Sequence, residues 1–389
     1  MLAFEKKTMC TGCTACASIC PKKCLIMVTD EHGFFYPELK SEKLCVDCKL
    51  CEKVCPLIQK KQLSEEKTEA YAVYSKNEKL RLESSSGGIF SEIAKVVIEE
   101  QGVVYGAAYS DDFTVEHKGI TEEQELYKLR GAKYSQSDLK EVYVEIQENL
   151  EQGKKVLFSG TPCSVAGLKT FLRKDYENLL CIDFICHGVP SPRAWKEYTK
   201  YRALKDYHEE LPLRINLRSK TTGWSHYHYS IQYEYSDGTI YSVRNGQDLF
   251  MKLFVEDYIN RSSCSNCMFK GDQRESDLTI ADFWGIWDVL PEMDDDKGTS
   301  AVLIHSKKGK AVFKRIEEHL QVREVSTDQI AKQNSSLRIS SQPNEKREEV
   351  LNMICAGGIE EIYDILPKEE AESMMKNIVR KVFRLLQIR

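Results

Sequence analysis

Hydrophobic and polar positions divide the 389-residue chain into two regimes. Through residue 59 the apolar residues come in short runs. Residues 25–28 and 34–36 flank Asp30-Glu31-His32-Gly33, which predicts a small β-hairpin with polar turn chemistry. So few apolar side chains cannot by themselves form an ordinary core. Residues 59–67 (QKKQLSEEK) are polar and charged and read as a linker. Beyond them the apolar runs lengthen. Residues 70–74 and Val103–Tyr109 predict strands, and Ile89, Phe90, Ile93, Val96 and Val97 line one face of a helix over Ile89–Glu99. A further helix is expected over residues 138–152.

The next pattern alternates. Residues 155–159 predict a strand, Gly160-Thr161-Pro162-Cys163 a tight turn, residues 164–172 a helix and residues 179–185 a second strand ending at Cys186-His187-Gly188. Ser191-Pro192 then opens a helix through Trp195 and Tyr198. Strand–helix–strand–helix order requires a parallel sheet with a right-handed crossover. It places Cys163 and Cys186 just past the carboxyl ends of neighbouring strands, where open α/β sheets bind ligands. Residues 227–235 and 240–243 flank Ser236-Asp237-Gly238 and predict an antiparallel patch, and residues 278–281 lead into Asp282-Phe283-Trp284-Gly285.

Cysteine spacing changes the picture of the first region. Cys10, Cys13, Cys16 and Cys20 form a C-x-x-C-x-x-C-x-x-x-C-P run, and Cys45, Cys48, Cys51 and Cys55 repeat it. In this bacterial ferredoxin pattern the fourth cysteine of each run ligates the other cluster. Cys10, Cys13, Cys16 and Cys55 are therefore expected to hold one 4Fe–4S cubane, and Cys45, Cys48, Cys51 and Cys20 a second. Zinc sites also use C-x-x-C, but zinc has no use for a three-cysteine loop with a proline-flanked fourth, used twice. Cys24 lies outside the runs and reads as a packed thiol. Downstream, Cys264-Ser265-Asn266-Cys267 is ambiguous alone among zinc, redox dithiol and cluster; with Cys163 and Cys186 it completes a set of four and points to a third 4Fe–4S site. Cys181 and Cys355 read as structural.

Composition adds exclusions. Lysine and arginine number 55 against 60 acidic residues, a net charge of −5, which gives no nucleic-acid footprint. The fifteen cysteines, with no apolar stretch among the first nine residues, fit a reducing cytoplasm better than an exported disulfide protein. No segment reaches the roughly eighteen apolar residues of a membrane span. At residues 374–389, Ile378, Val379, Val382, Phe383, Leu385 and Leu386 oppose Lys376, Arg380, Lys381, Arg384 and Arg389. This basic amphipathic helix could meet a membrane surface or a partner, or pack on its own domain.

Ser84-Ser85-Ser86-Gly87-Gly88 precedes the 89–99 helix; small residues there expose backbone N–H groups, although a plain flexible turn has the same composition. Together with RGAKYSQS from Arg130, SGTPCSVAGL from Ser159, DFICHGVPSP from Asp183, CSNC from Cys264, ADFWGI from Ala281 and DKGTS from Asp296, it resembles the coenzyme F-420 hydrogenase/dehydrogenase beta subunit family. Ser164, Ala132 and Ala281 depart from the usual family residues. The resemblance implies an FAD domain fed by iron–sulfur clusters. By the same resemblance Ser86, Gly87, Gly88, Lys133, Tyr134, Gln136 and Ser137 lie at the flavin, with Cys163, Cys186, Cys264 and Cys267 at the nearby cluster.

The expected fold class is mixed, α+β with α/β: a small diferredoxin module over residues 1–60, then a larger flavin domain with a partly parallel sheet and an antiparallel patch. That domain spans 68–350, in parts of about 68–145 and 150–350, and a helical tail covers 360–389. The expected function is an iron–sulfur flavoprotein oxidoreductase passing electrons between 4Fe–4S clusters and FAD, with a ferredoxin or other oxidoreductase as redox partner and a small-molecule substrate. The alternative is an electron-transfer subunit serving a partner's active site. Arg214, Lys220 and His226 are candidates for a substrate pocket, and no G-x-G-x-x-G supports a Rossmann nicotinamide site.

Overall fold

The computed structural model describes residues 7–59, 68–206, 210–225 and 228–367. His226, most of the 59–67 linker and the 374–389 tail lie outside the described residues.

The first apolar scraps form the expected hairpin: β1 (Leu25–Thr29) pairs antiparallel with β2 (Phe35–Leu39), and Gly33 supplies the left-handed turn conformation at φ 82°. Two cysteine loops flank it, each winding into one helical turn, Ala15–Ser18 and Leu50–Lys53.

The larger domain is built on one eight-stranded sheet. In chain order its strands are β3 (Glu69–Ser75), β4 (Val103–Tyr109), β5 (Val115–Ile120), β6 (Val156–Ser159) and β7 (Leu179–Phe184). β8 (Arg214–Ser219), β9 (Ser230–Glu234) and β10 (Ile240–Arg244) form the separate antiparallel patch, in the order β10-β9-β8. β11 (Leu278–Asp282), β12 (Ser300–Ile304) and β13 (Leu320–Val325) return to the main sheet, whose order is β13-β3-β12-β11-β7-β6-β4-β5. The centre, β11-β7-β6-β4, is parallel, and the remaining pairs are antiparallel. β3, first in the chain, sits between two of the last strands.

Alternation along the central strands decides which helices cover which face. Val104, Leu157 and Ile182 point to a core shared with Ile89, Ile93 and Val97 of the Ile89–Glu99 helix and with Phe313 and Ile316 of the Lys307–Ile316 helix. Val103, Tyr105, Val156, Phe158 and Cys181 point the other way, onto Tyr143, Ile146, Val165 and Leu168. Each such fully buried aliphatic side chain contributes about 1.5–3 kcal/mol. The helix expected over 138–152 begins later, at Val142–Glu151. Asp138 instead bridges to Glu116 beside β5, and Lys140 adopts a left-handed conformation that delays the helix.

The cysteine module is docked into this domain rather than tethered beside it. Thr170 donates to the Val54 carbonyl at 2.7 Å, the Ser191 hydroxyl donates to the His32 carbonyl, and Arg193 donates to the Glu31 carbonyl at 2.9 Å. Arg261, buried at 2% exposure, spans both parts. Its guanidinium donates to the carbonyls of Cys10 and Phe35 at 2.8 and 2.9 Å and lies 4.0 Å from the Tyr36 ring centroid. Among the described residues, no helix is long and apolar enough to cross a membrane.

Candidate functional site: three thiol groups and a polar sheet edge

Three groups of thiols converge. In the first, Cys10, Cys13, Cys16 and Cys55 line one cavity together with Gly12, Met27, Pro37 and Leu57. Thr14 and Gly12, both left-handed, curl the loop so that its cysteines face inward. Burial, with Cys10, Cys163 and Cys55 nearby, pushes the Cys13 thiol up to about 12. In the second group Cys45 and Cys48 are exposed and Cys20 and Cys51 partly so. Asp47 and Lys49 take the left-handed turns of that loop.

The third group forms as the strand order predicts. Thr161 caps the Pro162–Leu172 helix after β6, and Cys163 occupies its first turn. Cys186 follows β7, and Cys264 and Cys267 arrive on a 3-10 turn. Burial, with Cys267 nearby, pushes Cys163 up to about 11 against the Thr161 hydroxyl, which lowers it. Burial and the neighbouring Cys163 push Cys264 up to about 12, and burial beside Cys264, Cys163 and Cys267 raises Cys186. Buried thiols that oppose one another's ionisation form a site that cationic iron would satisfy, because metal charge reverses the local proton preference.

The groups are contiguous. Cys16 lies within electrostatic reach of Cys51, and Cys13 within reach of Cys163. Gly167 permits the second approach: a Cβ there would stand 2.9 Å from the Cβ and the Sγ of Cys13. Cys181 is buried mid-strand, its N–H bonded to Asp277, and Cys355 donates to the Glu31 carbonyl at 3.5 Å.

A polar group gathers at the same sheet edge. The parallel strands end there at Tyr109, Ser159, Phe184 and Asp282, while Ser300 begins β12 opposite Asp282. The Asp282 carboxylate lies 3.0 Å from the buried Arg218 guanidinium and accepts from Trp224 Nε1 at 3.2 Å. Arg218 lies over the rings of Tyr229 and Trp284, at 3.9 and 4.7 Å from their centroids. Lys220 Nζ donates to the carbonyls of Ser86 and Lys297, both at 2.7 Å, and burial pushes its ammonium down to about 7 although Asp282 opposes this.

The residues expected at a flavin divide between two places. Gly87 must be glycine, because a Cβ would stand 2.4 Å from the Val73 carbonyl oxygen, and its N–H donates to Ser300 Oγ at 2.9 Å. Gly88, at φ 90°, starts the Ile89–Glu99 helix. Ser86 meets Lys220, and Tyr134 packs on Phe254 near Arg218. Lys133 donates to the Arg130 carbonyl at 2.8 Å, and burial pushes it down to about 7. Gln136 and Ser137 do not join them. Gln136 accepts from Phe35 N–H and Arg261 at the module junction, and Ser137 bonds His117 Nδ1 at 2.7 Å. Of the substrate-pocket candidates, Lys220 is in the group and Arg214 is exposed at the start of β8. Asp282, Trp224, Tyr109 and Arg261 carry site geometry that no local motif assigns to them.

Two families match the chain. Residues 9–57 match the 4Fe-4S dicluster domain, and residues 153–329 match the C terminus of the coenzyme F-420 hydrogenase/dehydrogenase beta subunit. No curated protein matches. Among solved structures, one similar chain is from the xenon-derivatised F-420-reducing nickel–iron hydrogenase complex of Methanosarcina barkeri. It is 13% identical over 72% of this chain and 89% of that one, with a TM-score of 0.48.

Proposed function

Over residues 153–329 this chain belongs to the coenzyme F-420 hydrogenase/dehydrogenase beta subunit family, behind a 4Fe–4S dicluster domain, and from that premise we propose an iron–sulfur flavoprotein oxidoreductase. The observation that carries the reading is the contiguity of the three thiol groups, from exposed Cys45 and Cys48 through Cys51 and Cys16 to Cys13 and Cys163. When bound, the clusters supply one-electron exchange and FAD supplies storage of two electrons.

The chain's own residues keep these regimes apart and in register. Cys45 and Cys48, with Leu44 and Val46 exposed beside them, turn the second thiol group toward a redox partner. Arg261 fixes the Cys10 loop to the segment that carries Cys264 and Cys267.

Support for the flavin is the set of polar groups at the sheet edge. Among the described residues, the buried hydroxyls of Ser85, Ser86, Ser135 and Tyr109, and Arg218 Nε, have no hydrogen-bond partner. Buried polar atoms seldom remain so, and a ligand rich in phosphate and ring heteroatoms would pair them. Gly87 and Gly88 keep the Ser85–Ser86 turn close to the strands, Lys220 holds that turn through carbonyls, and Arg218 with Asp282 orients Tyr134 and Trp224.

Anaerobic purification followed by iron, sulfide and flavin analysis tests the reading. Cys163→Ser should lose about one cluster's iron and slow reduction of the flavin by a one-electron donor, whereas Cys181→Ser should keep all of it. A folded protein with its full iron, no flavin and no uptake of added FAD would leave only the electron-transfer role.

A further inference from the structure

The second thiol group holds one more sulfur than a cubane uses. Cys24 Sγ lies 3.3 Å from Cys20 Sγ, is only 4% exposed, and also faces the thiol of Cys45. It therefore stands between two of the four cysteines that the ferredoxin pattern assigns to the second cluster.

The backbone accounts for this placement. After Cys20 the chain turns back on itself: Lys23 N–H donates to the Cys20 carbonyl at 3.0 Å, and Lys23 takes the left-handed conformation at φ 45°. A lysine there is strained unless the turn needs it. The turn delivers Cys24 to the edge of the hairpin, where its carbonyl accepts from Lys40 N–H at 2.8 Å, one step before the Leu25↔Leu39 pair. The hairpin thus pins the backbone of Cys24, and its thiol is held against Cys20 rather than left to pack among apolar side chains.

The geometry points to Cys24 as an alternative ligand of the second cluster, able to take the iron that Cys20 holds. In that exchange the Fe–Sγ bond to Cys20 breaks and an Fe–Sγ bond to Cys24 forms. The Cys24 proton passes to the Cys20 sulfur, so no electrons are gained or lost. The two sulfurs are close enough for the exchange to need a side-chain shift and no rearrangement of the hairpin. Thiolate replacing thiolate preserves the cluster's ligand set, but the new chain geometry around the iron changes its magnetic environment. Cys48 has no such neighbour: among the described residues the thiols near it belong to its own run.

The inference rests on a second cluster being bound at all, which the iron content of the unmutated protein reports separately. The test is anaerobic purification of the full chain as Cys20→Ala, Cys24→Ala, Cys20→Ala/Cys24→Ala and Cys48→Ala. Readouts are iron per chain and the low-temperature EPR of the reduced protein. Cys20→Ala should keep the iron of the unmutated protein with a shifted second-cluster signal. The double variant should lose about four irons, and Cys48→Ala should lose iron although Cys24 is intact. Iron in Cys20→Ala as low as in the double variant overturns the proposal. If Cys20→Ala does not fold, Cys20→Ser decides. Its EPR signal should change when Cys24→Ala is added, and an unchanged signal means that the serine or a solvent oxygen, not Cys24, holds the iron.

Discussion

Arg261 Nε donates to the carbonyl oxygen of Cys10 at 2.8 Å, so a residue three positions before the third group's C-x-x-C holds the first loop of the cysteine module. The same guanidinium reaches Gln136 Oε1 at 3.0 Å and the Phe35 carbonyl at 2.9 Å. Lysine cannot reproduce this fork. Arg261→Lys should destabilise the docked module by about 3 kcal/mol, with Cys10 and Phe35 left short of a donor. Hydrogen exchange checks this, since the amides of β1 and β2 should exchange faster than those of β6 and β7. Equal acceleration in all four strands would make Arg261 a general core residue and not a clamp.

Gly167 tests the closeness of the first and third thiol groups. In a helix interior, alanine is ordinarily better than glycine by about 1 kcal/mol. Here its methyl would meet Cys13 and, at 3.0 Å, the Tyr143 hydroxyl. Overpacking of this kind costs about 1–3 kcal/mol, so Gly167→Ala should lower the melting temperature and perturb the EPR of the first cluster. A rise in melting temperature with an unchanged spectrum would mean that the two loops do not approach as described.

Asp282 is the counter-charge of Arg218, whose side chain is 2% exposed. Asp282→Asn keeps the shape and removes the charge, and it should cost about 3 kcal/mol because the guanidinium stays buried and uncompensated. Chemical denaturation measures this. The paired change Arg218→Met/Asp282→Asn should recover part of the loss.

His117 gives a pH dependence of known sign. Burial pushes its imidazole down to about 4; Ser159 opposes this and Lys133 adds to it. Its Nδ1 and Nε2 are both bonded, to Ser137 Oγ at 2.7 Å and the Ser159 carbonyl at 3.0 Å. The unfolded chain therefore binds the extra proton first. Stability is complete above the unfolded value near 6.5 and falls as pH drops towards 4, by about 3 kcal/mol over that span. His117→Gln should flatten the decline between pH 6.5 and 4.5 in denaturant titrations, and an unchanged slope would place the acid sensitivity elsewhere.

Much of this molecule was legible because its signals are local. The two cysteine runs and the hairpin between them need no information beyond about ten residues. The Ile89–Glu99 helix and the strands bearing Cys163 and Cys186 follow from periodicity, so the third thiol group could be placed from the chain alone. What was not legible depends on register across long separations. β3 lies between β12 and β13, more than two hundred residues later, and nothing in its composition says so. Gln136 shares a loop with Lys133 and Tyr134, yet its side chain turns to Arg261, because loop membership does not determine side-chain direction. Arg261 itself sits beside the cysteine pair as any arginine might.

Exposure among the thiol groups has a consequence for damage. Residues 43–49 are all exposed, whereas Cys10 and Cys55 are buried and the four cysteines of the third group are partly covered. Dioxygen and peroxide reach iron through solvent, so the outermost cluster should corrode first. Its loss would disconnect the chain from its electron source while the inner centres remain whole. The outer loop then behaves as a fuse, and failure there ends the supply of electrons that would otherwise turn a stranded flavin into a generator of superoxide.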